Sequence, residues 1–188
     1  MKMLRFFMLL CISFCLYNQA AYAYPQVQFD TTFGKFVVEL NSDLAPISSE
    51  NFLRYVKEGH YDDTVFHRII NGFMVQGGGY TTNMQEKPTR EPIPLESRNN
   101  LKNVKGSVAM ARTANPNSAT AQFFINVADN DSLDYPGADG HGYAVFGKIV
   151  SGMDVIDKIR AVPTTSYGTY RNVPATPVII QSAKQISQ

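Results

Sequence analysis

What most constrains this chain is the grouping of its apolar residues after position 64. They fall in short runs rich in β-branched and aromatic side chains, VFHRII, FMVQ, SVAMAR, QFFINV, YAVFGKIV and PVIIQSAK, each ended by glycine, asparagine or proline. Runs of about four to eight such residues suit strands rather than helices, and their regular punctuation suits an antiparallel barrel or sandwich. Residues 27–31 and 35–40 add two β-type segments with Gly34 between them, which predicts an opening hairpin. A helix is expected next, because Pro46 fits a first helical turn, Phe52 and Val56 fall on one face, and Gly59 stands where helix C-termini commonly end. A second helix is expected over 153–160, with Ser151 available as its N-cap and Asp154 three residues on, a pattern that resembles a capping box. Periodicity does not choose barrel over sandwich; a closed sheet with two helices over its ends is the economical arrangement.

The first residues predict an export signal. Lys2 and Arg5 precede an apolar run over 6–16, and Ala21-Tyr22-Ala23 offers a small-x-small cleavage site. The run is shorter than the roughly 20 apolar residues of a spanning helix, and neither Cys11 nor Cys15 follows a small residue, so no membrane or lipid anchor is expected. The division is therefore 1–23 signal peptide and 24–188 one domain, exported to a periplasm or secreted beyond it. Both cysteines lie in the segment to be removed, which leaves packing rather than disulfides to stabilise the domain. A formal net charge of +1 without a basic block argues against nucleic acid as a partner.

The common catalytic constellations fail one by one. His60, His67 and His141 lack metal-ligand spacing, and no thiol remains for zinc or nucleophilic chemistry. Asp129, Asp131 and Asp134 hint at calcium, but Asp134 and Gly140 stand where an EF-hand needs glycine and glutamate, so an acidic surface loop is expected. Gly77-Gly78-Gly79 is not followed by Gly-Lys-Ser/Thr and is no phosphate cradle. No metal and no cofactor are expected, and His67 reads as a structural hydrogen-bonding side chain.

Two blocks dense in arginine, amide and large apolar side chains remain. In the first, residues 66–79, Asn71-Gly72 signals a type I′ turn between strands, with Arg68 and Ile70 on one face of the first and Met74 and Gln76 on one face of the second. The second block spans 106–125. Together, and with Tyr143-Ala144-Val145-Phe146-Gly147-Lys148-Ile149-Val150 and Gly152-Met153-Asp154, they resemble the cyclophilin family over nearly all of residues 24–188.

The resemblance implies a mainly β fold, an eight-stranded antiparallel closed barrel capped by two α-helices, and peptidyl-prolyl cis-trans isomerase activity. It implies Arg68 as the catalytic residue, Phe73, Met74, Phe124 and Leu133 as the proline pocket, and Gln76, Gln122, Ala111, Arg112 and Thr113 as the peptide-binding edge, with Tyr143 in place of a groove histidine. Ser132 takes the place of a groove tryptophan found in many eukaryotic members, so weak cyclosporin binding is expected. The implied partners are proline-containing unfolded or partly folded polypeptides, met by a monomer that assists the folding of exported proteins. The rival reading is a groove-bearing chaperone with negligible catalysis, and the retained arginine argues against it.

Overall fold

Period-2 burial decides the first pairing. β1 (Gln26–Thr31) buries Val27, Phe29 and Thr31, and β2 (Gly34–Leu40) buries Phe36, Val38 and Leu40, so each strand turns one face inward. They pair antiparallel with Thr31 opposite Gly34, the hairpin expected from the sequence. The computed structural model describes residues 24–187; the expected export segment lies outside the described residues.

The first helix, α1 (Pro46–Lys57), carries Pro46 in its first turn and buries Phe52, Tyr55 and Val56. Its own N-cap, Ala45, has no side chain to satisfy the free N–H groups. The Glu96 carboxylate does so instead, accepting from the backbone N–H of Ile47 at 3.0 Å and of Ser48 at 2.6 Å and from the Ser48 hydroxyl at 2.6 Å.

Six further strands build the wall: β3 (Thr64–Val65), β4 (Arg68–Ile70), β5 (Met74–Gly77), β6 (Tyr80–Thr81), β7 (Ser107–Met110) and β8 (Phe123–Asn126). After them come β9 (Val145–Ser151), α2 (Met153–Arg160), a separate hairpin of β10 (Thr164–Tyr167) and β11 (Tyr170–Pro174), and β12 (Ile179–Ser187). The main sheet runs β4-β5-β8-β7-β9-β2-β1-β12-β3-β6, all antiparallel. β3 and β4 are two halves of one run broken at Phe66-His67, and β5 and β6 are halves of another broken at Gly78-Gly79. Because β3 pairs with both β12 and β6 while β4 pairs with β5, the two ends of the order are the same two runs and the sheet closes on itself. The expected eight-stranded barrel is present, drawn as ten hydrogen-bonded segments, with a hairpin outside it.

Two local expectations are corrected. Ser151 is the last residue of β9 and caps nothing; α2 starts from Gly152, which has φ +82° and no side-chain cap. A Cβ at Gly152 would lie 2.7 Å from the Phe36 backbone, so the chain passes from strand to helix through a conformation and a space that glycine alone fits. The turn after β4 is not type I′ either. Positive φ occurs at Gly72 alone, +79°, and the Phe73 N–H donates to the Ile70 carbonyl at 3.0 Å, a pattern with one left-handed residue instead of two.

The barrel interior is aromatic. Phe29 stacks on Phe36 with centroids 4.8 Å apart, and Phe52 meets Phe123 edge-on at 5.5 Å, arrangements each worth about 0.5–1.5 kcal/mol beyond area burial. Tyr61 is fully buried among them, its hydroxyl donating to the Ala121 carbonyl at 2.9 Å.

Candidate functional site

In the strands β4, β5, β8, β7 and β9 alternate residues serve two different clusters. Ile69, Val75, Val108, Met110, Phe123, Ile125 and Phe146 point into the barrel core. Their outward neighbours Met74, Ala109, Phe124 and Val145 form a second buried apolar patch on the outer wall, with Ile70, Phe73, Ala111, Leu133 and Tyr143 packed around it. Above this patch lies a cavity of about 230 Å³ lined by Arg68, Phe73, Met74, Gln76, Ala111, Arg112, Phe124, Leu133 and Tyr143. A slightly larger cavity, about 270 Å³, lies between Leu40, Leu101, Val104 and Val145, but it gathers none of the arginine and amide groups of the two sequence blocks.

Nearly all of the residues singled out from the sequence therefore meet at one place. Arg68 stands directly across from Gln76, and Ile70 across from Met74. One Arg68 Nη1–H donates to Gln76 Oε1 at 3.3 Å, and Gln76 Nε2 donates to Gln122 Oε1 at 3.0 Å. Gln122 thus stands beside the cavity, outside its lining, and orients Gln76. Thr113 also stays outside the lining: its N–H donates to Ser118 Oγ at 2.9 Å and its hydroxyl lies 2.8 Å from the same atom.

The two arginines of the cavity have opposite surroundings. Arg68 is half-buried and forms no ion pair among the described residues. The Arg112 side chain is only 1% exposed and fully engaged: it pairs with Asp139, donates to the Gly142 carbonyl at 2.7 and 3.1 Å and to the Thr113 carbonyl at 2.9 Å, and lies 4.3 Å over the Tyr143 ring. The hydrogen bond from Arg112, helped by the N–H groups of Gly142 and His141, holds the Asp139 carboxyl well below the usual carboxylate range. Arg112 is a clamp on the 134–142 loop. It keeps Tyr143 upright as a wall, edge-on to Phe124 at 5.6 Å.

A buried polar network that the sequence reading missed sets the far side. Asn130 Nδ2 donates to the Phe73 carbonyl at 2.9 Å and to Asn126 Oδ1 at 2.6 Å; Asn126 Nδ2 donates to Ser107 Oγ at 2.8 Å and Asn103 Oδ1 at 3.1 Å. Asn103 in turn donates its N–H and Nδ2–H to Asp134 Oδ1 at 2.8 and 3.0 Å. The network ties the Phe73 turn to the short 3-10 turn Asp131–Leu133, and the Tyr143 N–H donates to the Leu133 carbonyl at 2.8 Å. The signal available was Asn126, an asparagine ending a strand run, where that residue is depleted unless its amide has partners. The acidic string serves the same loops: Asp129 accepts from the Lys105 N–H at 2.7 Å, and Asp134 pairs with Lys102 at 3.2 Å.

His67 is not part of the cavity lining; it is buried, 4.6 Å from the Tyr80 ring. Its Nδ1 has no hydrogen-bond partner among the described residues, and burial first, with Arg68 adding to it and the Val65 backbone opposing, lowers its pKa to about 4. The cavity thus combines an apolar floor sized for a small ring and a guanidinium that donates to a neutral amide, with no nucleophile–base pair among its lining residues. Such a site can hold an apolar ring and donate a charged hydrogen bond to an atom above it.

Comparison with known proteins shows the family and the fold. Residues 26–185 match the family model described as cyclophilin type peptidyl-prolyl cis-trans isomerase. The chain is 53% identical to a peptidyl-prolyl cis-trans isomerase of Acinetobacter baylyi over 90% of this chain and 89% of that one. It is 52% identical to peptidyl-prolyl cis-trans isomerase B of Escherichia coli over 83% of this chain and 96% of that one. A crystal structure of a cyclophilin type peptidyl-prolyl cis-trans isomerase from Cryptosporidium parvum superposes with a TM-score of 0.72 at 25% identity, covering 88% of this chain and 99% of the other.

Proposed function

The chain belongs to the cyclophilin-type peptidyl-prolyl cis-trans isomerase family and is a peptidyl-prolyl cis-trans isomerase, and from that premise we propose that Arg68 catalyses rotation about X-Pro bonds of exported proteins as they fold. The observation that carries the arginine assignment is its contrast with Arg112: both line the cavity, and only Arg68 has no carboxylate beside it.

Rotation about an X-Pro amide must break C–N conjugation, against a barrier of about 18–20 kcal/mol. In the twisted transition state the prolyl nitrogen regains its lone pair and becomes an acceptor, which it is not in the planar ground state. A guanidinium N–H aimed at that nitrogen therefore binds the transition state more tightly than the substrate. Phe73, Met74, Phe124 and Leu133 hold the pyrrolidine ring while the acyl side turns and keep out water that would favour the planar, polar amide. Gln76, oriented by Gln122, fixes both the guanidinium and the peptide edge. No proton is transferred, so the reaction needs no acid–base pair.

If that hydrogen bond contributes as much as an oxyanion donor, about 3–4 kcal/mol, Arg68→Ala loses about a hundred- to a thousandfold in kcat/KM. A protease-coupled assay on a short Ala-Pro peptide reads this directly; near wild-type turnover by the folded variant refutes the assignment. Export through cleavage after Ala23 would deliver residues 24–188 as a monomer to a periplasm, where uncatalysed prolyl isomerisation takes tens to hundreds of seconds. Cell fractionation and N-terminal sequencing of the isolated protein test that part, which fails if the protein stays in the cytoplasm with Met1 intact.

A further inference from the structure

The hairpin β10–β11 stands outside the barrel, and every residue from 163 to 171 is exposed. Only its base, Val173 and Pro174, is buried. Two-stranded hairpins gain little stability by themselves, so what this one presents to its surroundings matters. At its tip Tyr167 lies directly opposite Tyr170, and opposite residues share a face. The two are 55% and 38% exposed. Their face looks toward the barrel, because the Tyr170 ring meets Tyr80 edge-on at 5.6 Å. Tyr80 in turn packs on His67, the neighbour of Arg68, and β11 lies alongside β4. The Gln122 side chain packs against Gly79, the residue before Tyr80, and Gln122 continues through Gln76 to Arg68.

We propose that Tyr80, Tyr167 and Tyr170 form a second client-binding surface, continuous with the groove at its Arg68 end, that takes an aromatic or large apolar side chain of the same polypeptide whose proline occupies the pocket. The inference rests on the groove reading above and extends it to residues flanking the proline. Continuity decides the occupant: an extended chain leaving the pocket past Gln76 and Gln122 meets Tyr80 and then the hairpin. Tyrosine suits this work, since its rigid ring gives large contact area at low entropic cost and its hydroxyl reaches passing backbone.

The test uses two peptides with the same Ala-Pro centre, one flanked by alanine and serine and one carrying phenylalanine or tyrosine two to four residues to either side. Wild type is expected to show a KM about three- to tenfold lower for the aromatic-flanked peptide, the range of one or two aromatic pairs, and the double variant Tyr167→Thr/Tyr170→Thr to lose that preference. A wild type without the preference, or a double variant that keeps it, overturns the proposal. Wild-type amide shifts at Gly168 and Thr169 give a readout that needs no variant: they move with the aromatic-flanked peptide and not with the plain one. Shifts that follow protein concentration instead assign the strip to self-association and also overturn it. Arg68→Ala is read on the plain peptide, so failure of the arginine assignment leaves the ratio that tests the strip untouched.

Discussion

At Arg68 the partners matter as much as the charge. A guanidinium held by Gln76 at 3.3 Å keeps N–H groups to offer, whereas Arg112, with a carboxylate, two carbonyl oxygens and an aromatic face, has its charge answered within the fold. Residue type alone does not separate the two, and the sequence placed both in the groove with Arg68 as the catalyst. His67, next along the chain, carries a different consequence. Its folded pKa is lowered to about 4 by burial first and by Arg68 second, while an unfolded histidine titrates near 6.5. Between those values the unfolded state binds more protons, so stability rises with pH there: it is fully present above about 6.5 and is lost as pH falls toward 4, by about 3 kcal/mol. Burial lowers His60 as well, which adds loss in the same direction. Urea midpoints at pH 7.5 and 4.5 are expected to fall further apart in wild type than in His67→Phe; equal gaps would exclude His67 as the source. Arg68, Phe73, Met74 and Gln76 were legible because they crowd into one short block. Asn103, Asn126 and Asn130 were not, because each amide's role is defined only by partners that folding brings to it.

The same limit governs the elements. Pro46, Phe52, Val56 and Gly59 located α1 from within, but what satisfies its first N–H groups is Glu96, 48 residues from Ser48 in the chain. Glu96→Ala leaves those N–H groups and the Ser48 hydroxyl without their acceptor, and is expected to cost about 1–2 kcal/mol, the range of a lost helix cap. Chemical denaturation measures the loss, and kcat/KM of the folded variant should stay near wild type because Glu96 is not part of the groove lining. A denaturation midpoint equal to wild type would show that water replaces the carboxylate at no cost. The α2 boundary teaches the converse. Ser151 and Asp154 resembled a capping box, yet backbone space beside Phe36 placed Gly152 at the junction, and a local pattern yielded to a packing constraint from another strand.

For the whole molecule, closure is the deciding property. β12 holds β1 along its length and reaches β3, so it joins the first and middle parts of the chain into one wall. Removing residues 178–188 is expected to abolish cooperative unfolding, because β1 and β3 both lose a partner and the aromatic interior opens to water; a sigmoidal thermal transition in circular dichroism from the truncated chain would contradict this. The strand runs were readable as runs, but closure was not, since period-2 alternation says which face is buried and nothing about whether a sheet meets itself. That alternation has one more effect. Along β8, Phe123 and Ile125 answer to the core and Phe124 to the pocket, and along β5 Val75 and Gln76 divide in the same way. Fold and chemistry are therefore written at alternate positions of the same few residues, so point substitutions in a lineage can retune which polypeptides are accepted while the barrel stays intact, whereas inserting one residue in either strand would exchange the two and destroy both together.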